Sequence, residues 1–506
     1  MAYIRRVTIA GTTLGGHTEE VDVDSEGHFE TVVVRPSTAF GQVSVAEETP
    51  VVQIDGTEGV LTTDVETFTA TGGGATASDG MFVCTTGTSV GGYGVVRSRR
   101  DGRYRAGQGY MARFTAMFTA GVASSLQQAG LFTSENSLCF GYNGTSFGIL
   151  RGTEGALEIR TLTVTVGAGG AETGTVTLAG VATNVSLSSG STTATAAKIG
   201  ADSFAGWSAF QVGATVVFVA TAVGAKSGTF SFSSTGTAAG TFAATRAGAV
   251  VTETWTAQSD WNVDKMDGTG PSGMTLDTTK LNVYKIQMQW LGAGNIDFYV
   301  EDPGEGQFAL VHRIKYANAN TKPSIRNPTM KLGWAAASLG STTNLTVKGA
   351  SGYVAVEGRR VHVRNPFSAT ATKGGISSAV PVLSIRNGKT FGGRINFREV
   401  LPLRASVGTD GSGSAPVTVY FYMNATLTGA QWLSAWNESC VHYDTSATAL
   451  SGGTYLTVQA LAKNGQAVID LKSMDIVVSS DDVVTIVVGT SAGTVTAAVS
   501  IAWDEE

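Results

Sequence analysis

The sequence predicts an all-β protein built of several β-sandwich domains, and three observations predict it. Glycine supplies 65 of 506 residues, well above its usual share of about 7%. Charged residues make up 15% of the chain, so the helix-favouring Glu, Lys and Arg are scarce. Asp-Gly and Asn-Gly pairs recur, and they favour the tight turns that join antiparallel strands. A hydrophobic content of 42% is enough to bury a core, which excludes a disordered, charge-rich chain.

Between the turns lie short runs whose side chains alternate or are β-branched, which is typical of strands. Such runs are 110–118, 283–290, 295–300, 308–316, 417–422 and 455–461. The pattern predicts a helix of two turns only at 192–199, and a single turn at 431–436. The uncharged segment 483–503 is nominally long enough to cross a bilayer, but the small residues of 489–493 divide it. We therefore interpret 483–503 as a β-hairpin and expect no membrane insertion.

Composition divides the chain into five regions. Bulky aromatic residues occur in two separated stretches that look like halves of one sandwich, and a Thr-, Ala- and Gly-rich stretch with little charge lies between them. The predicted organisation is an acidic N-terminal arm (1–50), a split jelly-roll sandwich (51–157 and 257–358), an inserted small β-domain (158–256), a linker (359–378) and a C-terminal β-sandwich (379–506). The linker is predicted from Pro366 and the Ser- and Gly-rich run that follows it.

A formal net charge of −6 conceals a strong segregation of charge. Residues 1–66 hold 3 Lys and Arg against 12 Asp and Glu, and residues 405–506 hold 2 against 10. Between them, residues 321–404 hold 13 Lys and Arg against 2 Asp and Glu. Nucleic-acid binding is disfavoured, because the adjoining acidic segment repels phosphate and the basic residues lack interleaved aromatics. Two interpretations stay open: docking of the acidic part of one copy on the basic part of another, and a solvated surface.

Five arginines crowd around the Asp101-Gly102 turn: Arg97, Arg99, Arg100, Arg103 and Arg105. Alternation predicts Arg97 and Arg99 on one face of a strand, with Arg103 and Arg105 on one face of the return strand. Five guanidinium groups on one hairpin repel each other unless anions lie near. The candidates are acidic groups of a partner, such as the N-terminal arm of a neighbouring copy, and a polyanionic glycan. The alternative is a set of solvated side chains.

No motif in the chain predicts catalysis. The sequence Gly-x-Ser-x-Gly occurs around Ser89 and Ser146, but the nucleophile elbow needs a following helix and the residues after Gly148 do not start one. Asp297 and Glu301 lie on one predicted strand about 13 Å apart, at about 3.3 Å per residue. Glycosidases need their carboxylates about 5–9.5 Å apart, so this pair alone cannot hydrolyse a glycan. We expect a protein that is not an enzyme.

The sequence offers one weak metal candidate. Asp22, Asp24 and Glu26 occupy the first, third and fifth positions of a calcium-loop pattern, with Gly27 sixth. Position twelve is Val33 rather than Glu, and an acidic hairpin turn explains the acids equally. The five histidines form no ligand pair, so no metal site and no cofactor are expected. The three cysteines (Cys84, Cys139 and Cys440) lie far apart, which predicts free buried thiols.

Several runs resemble segments of tailed-bacteriophage virion proteins of the tail-fibre and baseplate type. They include Tyr104-Arg-Ala-Gly-Gln-Gly109, Phe147-Gly-Ile-Leu-Arg151 and Gly333-Trp-Ala-Ala336. Residues 51–358 resemble a concanavalin-A-like jelly roll, and Thr175-Val-Thr-Leu178 is similar to small β-domains inserted in phage tail proteins. Pro381-Val-Leu-Ser-Ile-Arg386 looks like part of a C-terminal sandwich found in the same proteins.

The resemblance implies a structural component of a virion, acting in particle assembly and in attachment to the host surface. It supplies no catalytic residues. The implied partners are other copies of the chain, most plausibly as a trimer, and neighbouring virion proteins. The implied location is the virion after synthesis in the host cytoplasm, consistent with no signal peptide at the start of the sequence. The alternatives are a capsid-decoration or head-fibre protein, and a carbohydrate-binding protein that grips a host glycan through exposed aromatics such as Trp290 and Trp334.

Overall fold

The computed structural model describes residues 48–304, 306–358, 365–411, 416–462 and 464–506, and it confirms the predicted all-β class. The first nine strands are β1 Glu48–Asp55, β2 Val65–Ala70, β3 Gly74–Ser78, β4 Met81–Thr85, β5 Tyr93–Ser98, β6 Tyr110–Phe118, β7 Ser125–Phe132, β8 Ser137–Asn143 and β9 Ser146–Thr153. The Asp79-Gly80 pair forms a tight turn as predicted, whereas Asp410-Gly411 lies within strand β28. Asp79 and Gly80, between β3 and β4, both have positive φ, as tight hairpins require.

The next segment forms the inserted domain. Its elements are β10 Leu157–Val166, β11 Glu172–Leu178, β12 Val181–Leu187, α1 Thr192–Gly200, β13 Trp207–Val212, β14 Thr215–Val223, β15 Ser231–Ser234 and β16 Ala239–Arg246. The strand orders are β13-β14-β10-β16 and β12-β11-β15. The helix confirms the prediction for 192–199, and Ser191 caps it by accepting a 3.2 Å hydrogen bond from the Ala194 amide.

The chain then returns to its first sandwich. The returning strands are β17 Thr252–Ala257, β18 Asn282–Met288, β19 Ile296–Asp302, β20 Gln307–Ile314, β21 Lys331–Ser338, β22 Thr346–Gly349 and β23 Ser351–Glu357. Because β17 pairs with β9, the return begins at Thr252, one strand earlier than the predicted boundary at 257. A one-strand error of this kind arises because Thr-rich strands on both sides of the boundary have the same composition.

Strands β1–β9 and β17–β23 form the split sandwich. One sheet has the order β20-β19-β18-β6-β22-β4-β3, with β23 pairing with β6 and β1, and the other has the order β17-β9-β8-β7-β21-β5-β2. Aromatic rings fill the space between the sheets: Phe140 lies 4.7 Å from Tyr284, and Phe82 lies 5.4 Å from Trp334. Offset and tilted ring pairs of this kind add to the energy of simple burial.

The last module, the C-terminal sandwich, contains β24 Asn365–Ile376, β25 Val380–Asn387, β26 Thr390–Phe391, β27 Arg394–Ile395, β28 Val400–Gly411, β29 Val417–Met423, β30 Thr426–Thr428, β31 Leu433–Ser434, β32 Val441–Asp444, β33 Ala449–Ser451, β34 Thr454–Leu461, β35 Gln466–Asp470, β36 Val483–Thr490 and β37 Val495–Glu505. Its facing sheets have the orders β24-β37-β28-β35 and β31-β32-β25-β36-β29-β34. Val407, Val419 and Ile486 belong to the apolar core between them.

Three local predictions in this module were wrong. Most of the predicted linker is strand β24, because its alternating Thr and Ser residues pair along β37. The predicted hairpin at 483–503 is two strands in opposite sheets, since β36 pairs with β25 and β29 whereas β37 pairs with β24 and β28. Residues 431–436 do not form the predicted helical turn; they contain the two-residue strand β31 instead.

Candidate functional site

A charged cleft of about 640 Å³ lies between the split sandwich and the C-terminal sandwich, and we call it the interdomain cleft. Its lining residues are Glu66, Arg97, Arg99, Asp101, Thr133, Ser134, Glu135, Leu157, Lys331, Ile395, Asn396, Phe397, Asn424, Ala425 and residues 479–483. Acidic, basic and amide side chains and one aromatic ring thus line the interdomain cleft, whose volume suits a small ligand.

The arginines at the start of the predicted hairpin form one wall of the interdomain cleft. Arg97 is held by the carboxylate of Glu66 and lies 4.7 Å over the ring of Phe68. Arg99 reaches across to the C-terminal sandwich, where its Nη2 donates a 3.0 Å hydrogen bond to Asp482 Oδ1. Lys331 donates to the carbonyl oxygens of Ser98 and Arg99, which fixes the backbone that carries both arginines.

Asp482 is held in place on the opposite wall. It accepts a 2.8 Å hydrogen bond from Asn424 Nδ2 and a 3.2 Å hydrogen bond from the Ser479 amide. Three donors therefore converge on one buried carboxylate. The salt bridge from Arg99 thus joins two modules through a carboxylate that Asn424 and the Ser479 amide also hold.

Asp101 lies deeper in the same wall. Burial raises the pKa of Asp101, and the nearby Lys331 ammonium, 4.0 Å away, opposes that rise. The carboxyl is thus held in a poorly hydrated position beside the turn.

The remaining arginines make a second contact with the C-terminal sandwich. Arg105 Nη2 lies 2.6 Å from Glu506 Oε2, and both side chains are largely buried. Burial lowers the pKa of Arg103, while the carboxylates of Glu399 and Glu506 oppose that change. From the other side, Arg398 bridges to Glu505 at 3.2 Å.

The arginine cluster therefore differs from the prediction in two ways. Residues 99–109 form no return strand, because the chain turns at Gly102, which makes an isolated bridge to Met330, and then runs irregularly to β6. Four of the five arginines face acidic groups of the same chain, and all five are half-buried rather than solvated. Arg100 contributes its carbonyl, which accepts a 2.8 Å hydrogen bond from Ser98 Oγ.

The charge segregation seen in the sequence is partly neutralised within one chain. Lys389 of the basic segment lies 3.1 Å from Asp481 of the acidic segment, and Arg398 pairs with Glu505 in the same way. Both ion pairs lie within the C-terminal sandwich. Docking between copies stays a prediction.

The inserted domain is fixed to the split sandwich by an ion pair. Arg246 binds Glu135 through two hydrogen bonds of 2.6 and 3.0 Å, and Glu135 also accepts a 2.9 Å hydrogen bond from the Leu157 amide. Both ends of the insertion, β10 and β16, are thereby attached to the loop between β7 and β8.

The inserted domain also contacts the C-terminal sandwich. Arg386 donates a 2.9 Å hydrogen bond to the Gln211 carbonyl and lies 4.4 Å over the ring of Trp432. The Gln211 side chain and the Trp432 backbone exchange two further hydrogen bonds. Burial lowers the pKa of Arg386 to about 10 and, with the Arg386 charge, lowers that of His442 to about 3.

The sequence interpretation missed these contacts, although one signal was available. Arg386 follows six uncharged residues of β25, and a lone charge in an apolar strand indicates a buried ion with a specific partner. Nothing local pointed to Glu135 or Gln211, because their partners lie 111 and 175 residues away along the chain.

The structure does not assemble the catalytic groups considered in the sequence. Asp297 accepts two hydrogen bonds of 2.7 Å from Arg313, so it is engaged in an ion pair on the neighbouring strand. Ser146 begins β9 and is followed by strand, not by helix. In the described residues no cluster of three His, Cys, Asp or Glu side chains suits a metal ion. The calcium-loop candidates Asp22, Asp24 and Glu26 lie outside the described residues.

The aromatic and thiol groups are mostly internal. Trp334 is fully buried and donates a 2.9 Å hydrogen bond to the Thr115 carbonyl, and Trp290 is half-buried and donates to the Ile325 carbonyl. Trp334 therefore cannot stack on a glycan. All three cysteines are free and buried, as predicted, and burial raises their pKa values, that of Cys84 to about 12.

Comparisons with known proteins add little. No known protein family matches the chain, and no curated protein matches it. A solved structure of the lectin UEA-II complexed with galactose aligns over 61% of this chain and 100% of its own, with 8% identity and a TM-score of 0.22. In the part of the chain that the structure describes, no helix is long and apolar enough to span a membrane.

Proposed function

We propose that this chain is a structural, non-enzymatic protein of a tailed-phage virion, acting in particle assembly and host attachment. The observation that carries the proposal is the closed set of contacts among its three modules. Arg99–Asp482, Arg246–Glu135 and Arg386–Gln211 each join a different pair of modules. Contacts between all three pairs of modules make the chain a rigid building block. The resemblance of residues 51–358 and 381–386 to virion proteins supports a virion as the particle in which this block is used.

The test is to localise the protein in purified particles by labelling it and imaging the particles. We expect the label at a fixed position on the tail, with the protein in stoichiometric amounts by mass spectrometry. A label on the head instead would favour the capsid-decoration alternative. Absence from particles, with the protein found as a free monomer, would contradict the proposal. The predicted trimer is tested by the mass of the isolated assembly.

A carbohydrate-binding function is the second candidate, and the interdomain cleft favours it. The lining of the cleft offers the exposed carboxylate of Asp481 and the half-buried ring of Phe397, a combination that suits sugar hydroxyls and a sugar face. The test is a glycan array probed with the wild type and with Phe397→Ala. Binding that is lost in this variant supports the candidate, whereas silence of the wild type removes it.

A further inference from the structure

A lysine lies between two carboxyl groups on the wall of the interdomain cleft. The Lys331 Nζ lies 3.4 Å from Glu66 Oε1 and 4.0 Å from Asp101 Oδ1. Each of the three side chains retains 25% or less of its exposure. We call Lys331, Asp101 and Glu66 the lysine cluster. An amine is a nucleophile and a carboxyl group is an acyl donor, so the cluster contains the reactants of an amide bond.

The backbone places Lys331 and Asp101 side by side. Gly102 and Met330 form an antiparallel bridge, in which the Gly102 amide donates a 2.7 Å hydrogen bond to the Met330 carbonyl and the Met330 amide donates a 3.3 Å hydrogen bond in return. The adjoining residues, Asp101 before Gly102 and Lys331 after Met330, are therefore opposite each other. Side chains approach most closely at such a position next to a hydrogen-bonded pair.

The carboxyl group of Asp101 is shielded from water. Among the described residues, no group makes a hydrogen bond to its Oδ1, which is inaccessible to solvent. Burial raises the pKa of Asp101 and the Glu66 charge adds to the rise, whereas the cations Lys331 and Arg97 oppose it. These influences favour the acid form of the group, and an amine attacks a carboxylic acid far more readily than a carboxylate.

Glu66 is placed to accept the proton that Lys331 must lose before it can react. Arg97 lies opposite Glu66 across strands β5 and β2 and binds its carboxylate through a salt bridge. The same carboxylate oxygen, Oε1, lies 3.4 Å from Lys331 Nζ. A positioned carboxylate at this distance from an ammonium can act as a general base.

We propose that Lys331 and Asp101 become joined in the folded protein by an isopeptide bond between Nζ and Cγ. Glu66 accepts one proton from the ammonium, and the free amine attacks Cγ of Asp101 in its acid form. The C–N bond forms and the bond from Cγ to the hydroxyl oxygen breaks. The hydroxyl leaves as water with a second proton from the nitrogen. The products are an amide, one water molecule and one proton on Glu66, which passes to solvent in the cleft.

Proximity favours this condensation within the fold. Groups that are held in reactive geometry behave as if present at about 10⁵–10⁸ M. The flexible stem of Lys331 can close the gap from 4.0 Å to the reactive approach of about 3–3.5 Å. The bond ties β21 to the segment that follows β5 and restricts the unfolded chain, as a disulfide does. The inference concerns a modification of the chain and does not depend on the proposed function.

The first experiment compares the intact masses of the denatured wild type and of Lys331→Arg. We expect the wild type to lack one water molecule and the variant to have its full mass. Lys322→Arg is the matched control and should lack the water, because Lys322 lies 2.6 Å from Glu154 but is 73% exposed. A wild type of full mass overturns the inference. Water loss that persists in Lys331→Arg also overturns it, since a cyclic imide at an Asp-Gly pair then explains the loss.

The second experiment locates the bond in the wild type and does not depend on how a variant folds. Trypsin does not cut after an acylated lysine, so we expect one branched peptide that joins the segments containing Asp101 and Lys331. Two separate peptides with both residues unmodified overturn the inference.

A third experiment tests the proton acceptor. We expect Glu66→Gln to be purified largely at full mass and to lose water slowly during incubation, because removal of a general base slows a reaction by about 100-fold or more. The wild type should lack the water from the start. A Glu66→Gln variant that already lacks the water when purified overturns the step assigned to Glu66.

Discussion

The guanidinium of Arg246 binds the carboxylate of Glu135 through two parallel hydrogen bonds of 2.6 and 3.0 Å. The side chains retain 14% and 5% of their exposure, so the pair lies out of water between the inserted domain and the split sandwich. A planar guanidinium fits a carboxylate in this two-point geometry, which a lysine cannot reproduce.

Removal of one partner of this pair is expected to destabilise the protein strongly. Arg246→Ala leaves the Glu135 charge buried and uncompensated, and such changes cost about 3–5 kcal/mol. The free energy of unfolding from urea titrations measures the loss. The control is Lys322→Ala, which breaks the 2.6 Å ion pair of Lys322 with Glu154, because Lys322 is 73% exposed. A similar small loss in both variants would contradict the assigned role of Arg246.

The stability of the protein is expected to fall at acid pH partly through His442. Burial lowers the pKa of His442 from 6.5 to about 3, so between these values the unfolded chain binds a proton that the folded chain does not. Stability therefore rises with pH through this window, by at most about 1.4 kcal/mol per pH unit. Unfolding free energies of the wild type and His442→Gln at pH 7 and pH 5 test this. A pH slope unchanged in the variant would refute it.

Lys285 is expected to add a second pH dependence in the alkaline range. Burial lowers the pKa of Lys285 from 10.5 to about 8, and its ammonium lies 4.0 Å over the ring of Tyr299. Between pH 8 and 10.5 the unfolded state binds more protons, so this group makes the folded state more stable as pH rises. Lys285→Met, with similar length and no charge, should lose this slope in denaturation curves at pH 8 and 9.5. If the variant keeps this pH dependence of stability, titratable groups other than Lys285 cause it.

The thiols are expected to be unreactive in the folded protein. Burial raises the pKa of Cys84 to about 12, and it also raises the pKa values of Cys139 and Cys440. Thiolate is the reactive form, so an aromatic disulfide reagent at pH 8 should modify no cysteine in the native state. In denaturant it should modify all three. Rapid native labelling of one cysteine would show that its surroundings open readily.

Removal of the buried indole of Trp334 is expected to destabilise the split sandwich. Trp334→Ala should cost about 3–5 kcal/mol, because it opens a cavity and leaves the Thr115 carbonyl without its donor. Trp436→Ala is the control, since that indole is 56% exposed. Equal effects in urea titrations would contradict the placement of Trp334 in the core.

The features of the fold that the sequence predicted correctly are those that depend on local pattern. The helix that begins at Thr192 and the turn at Asp79-Gly80 follow from capping and backbone preferences within a few residues. The sequence did not predict which sheet each strand joins. The runs of β36 and β37 have the same pattern whether the turn between them closes a hairpin or crosses from one sheet to the other.

The candidate site was predicted only in part. Crowding of charge identified the arginines near Gly102 as groups that need anions. It could not identify Asp482 as the partner of Arg99, because 383 residues separate them and only the folded arrangement of modules brings them together. The linker was misassigned because Ser and Thr serve equally in flexible connections and in exposed faces of strands.

The contacts among the three modules form a closed triangle, and this has a mechanical consequence. A hinge needs one contact about which two bodies turn, but turning about Arg99–Asp482 stretches the Arg386–Gln211 and Arg246–Glu135 contacts. A tensile load between the split and C-terminal sandwiches is therefore shared by two routes, one direct and one through the inserted domain. The inserted domain therefore adds an indirect connection between the two sandwiches to the direct one that Arg99–Asp482 and Arg105–Glu506 make.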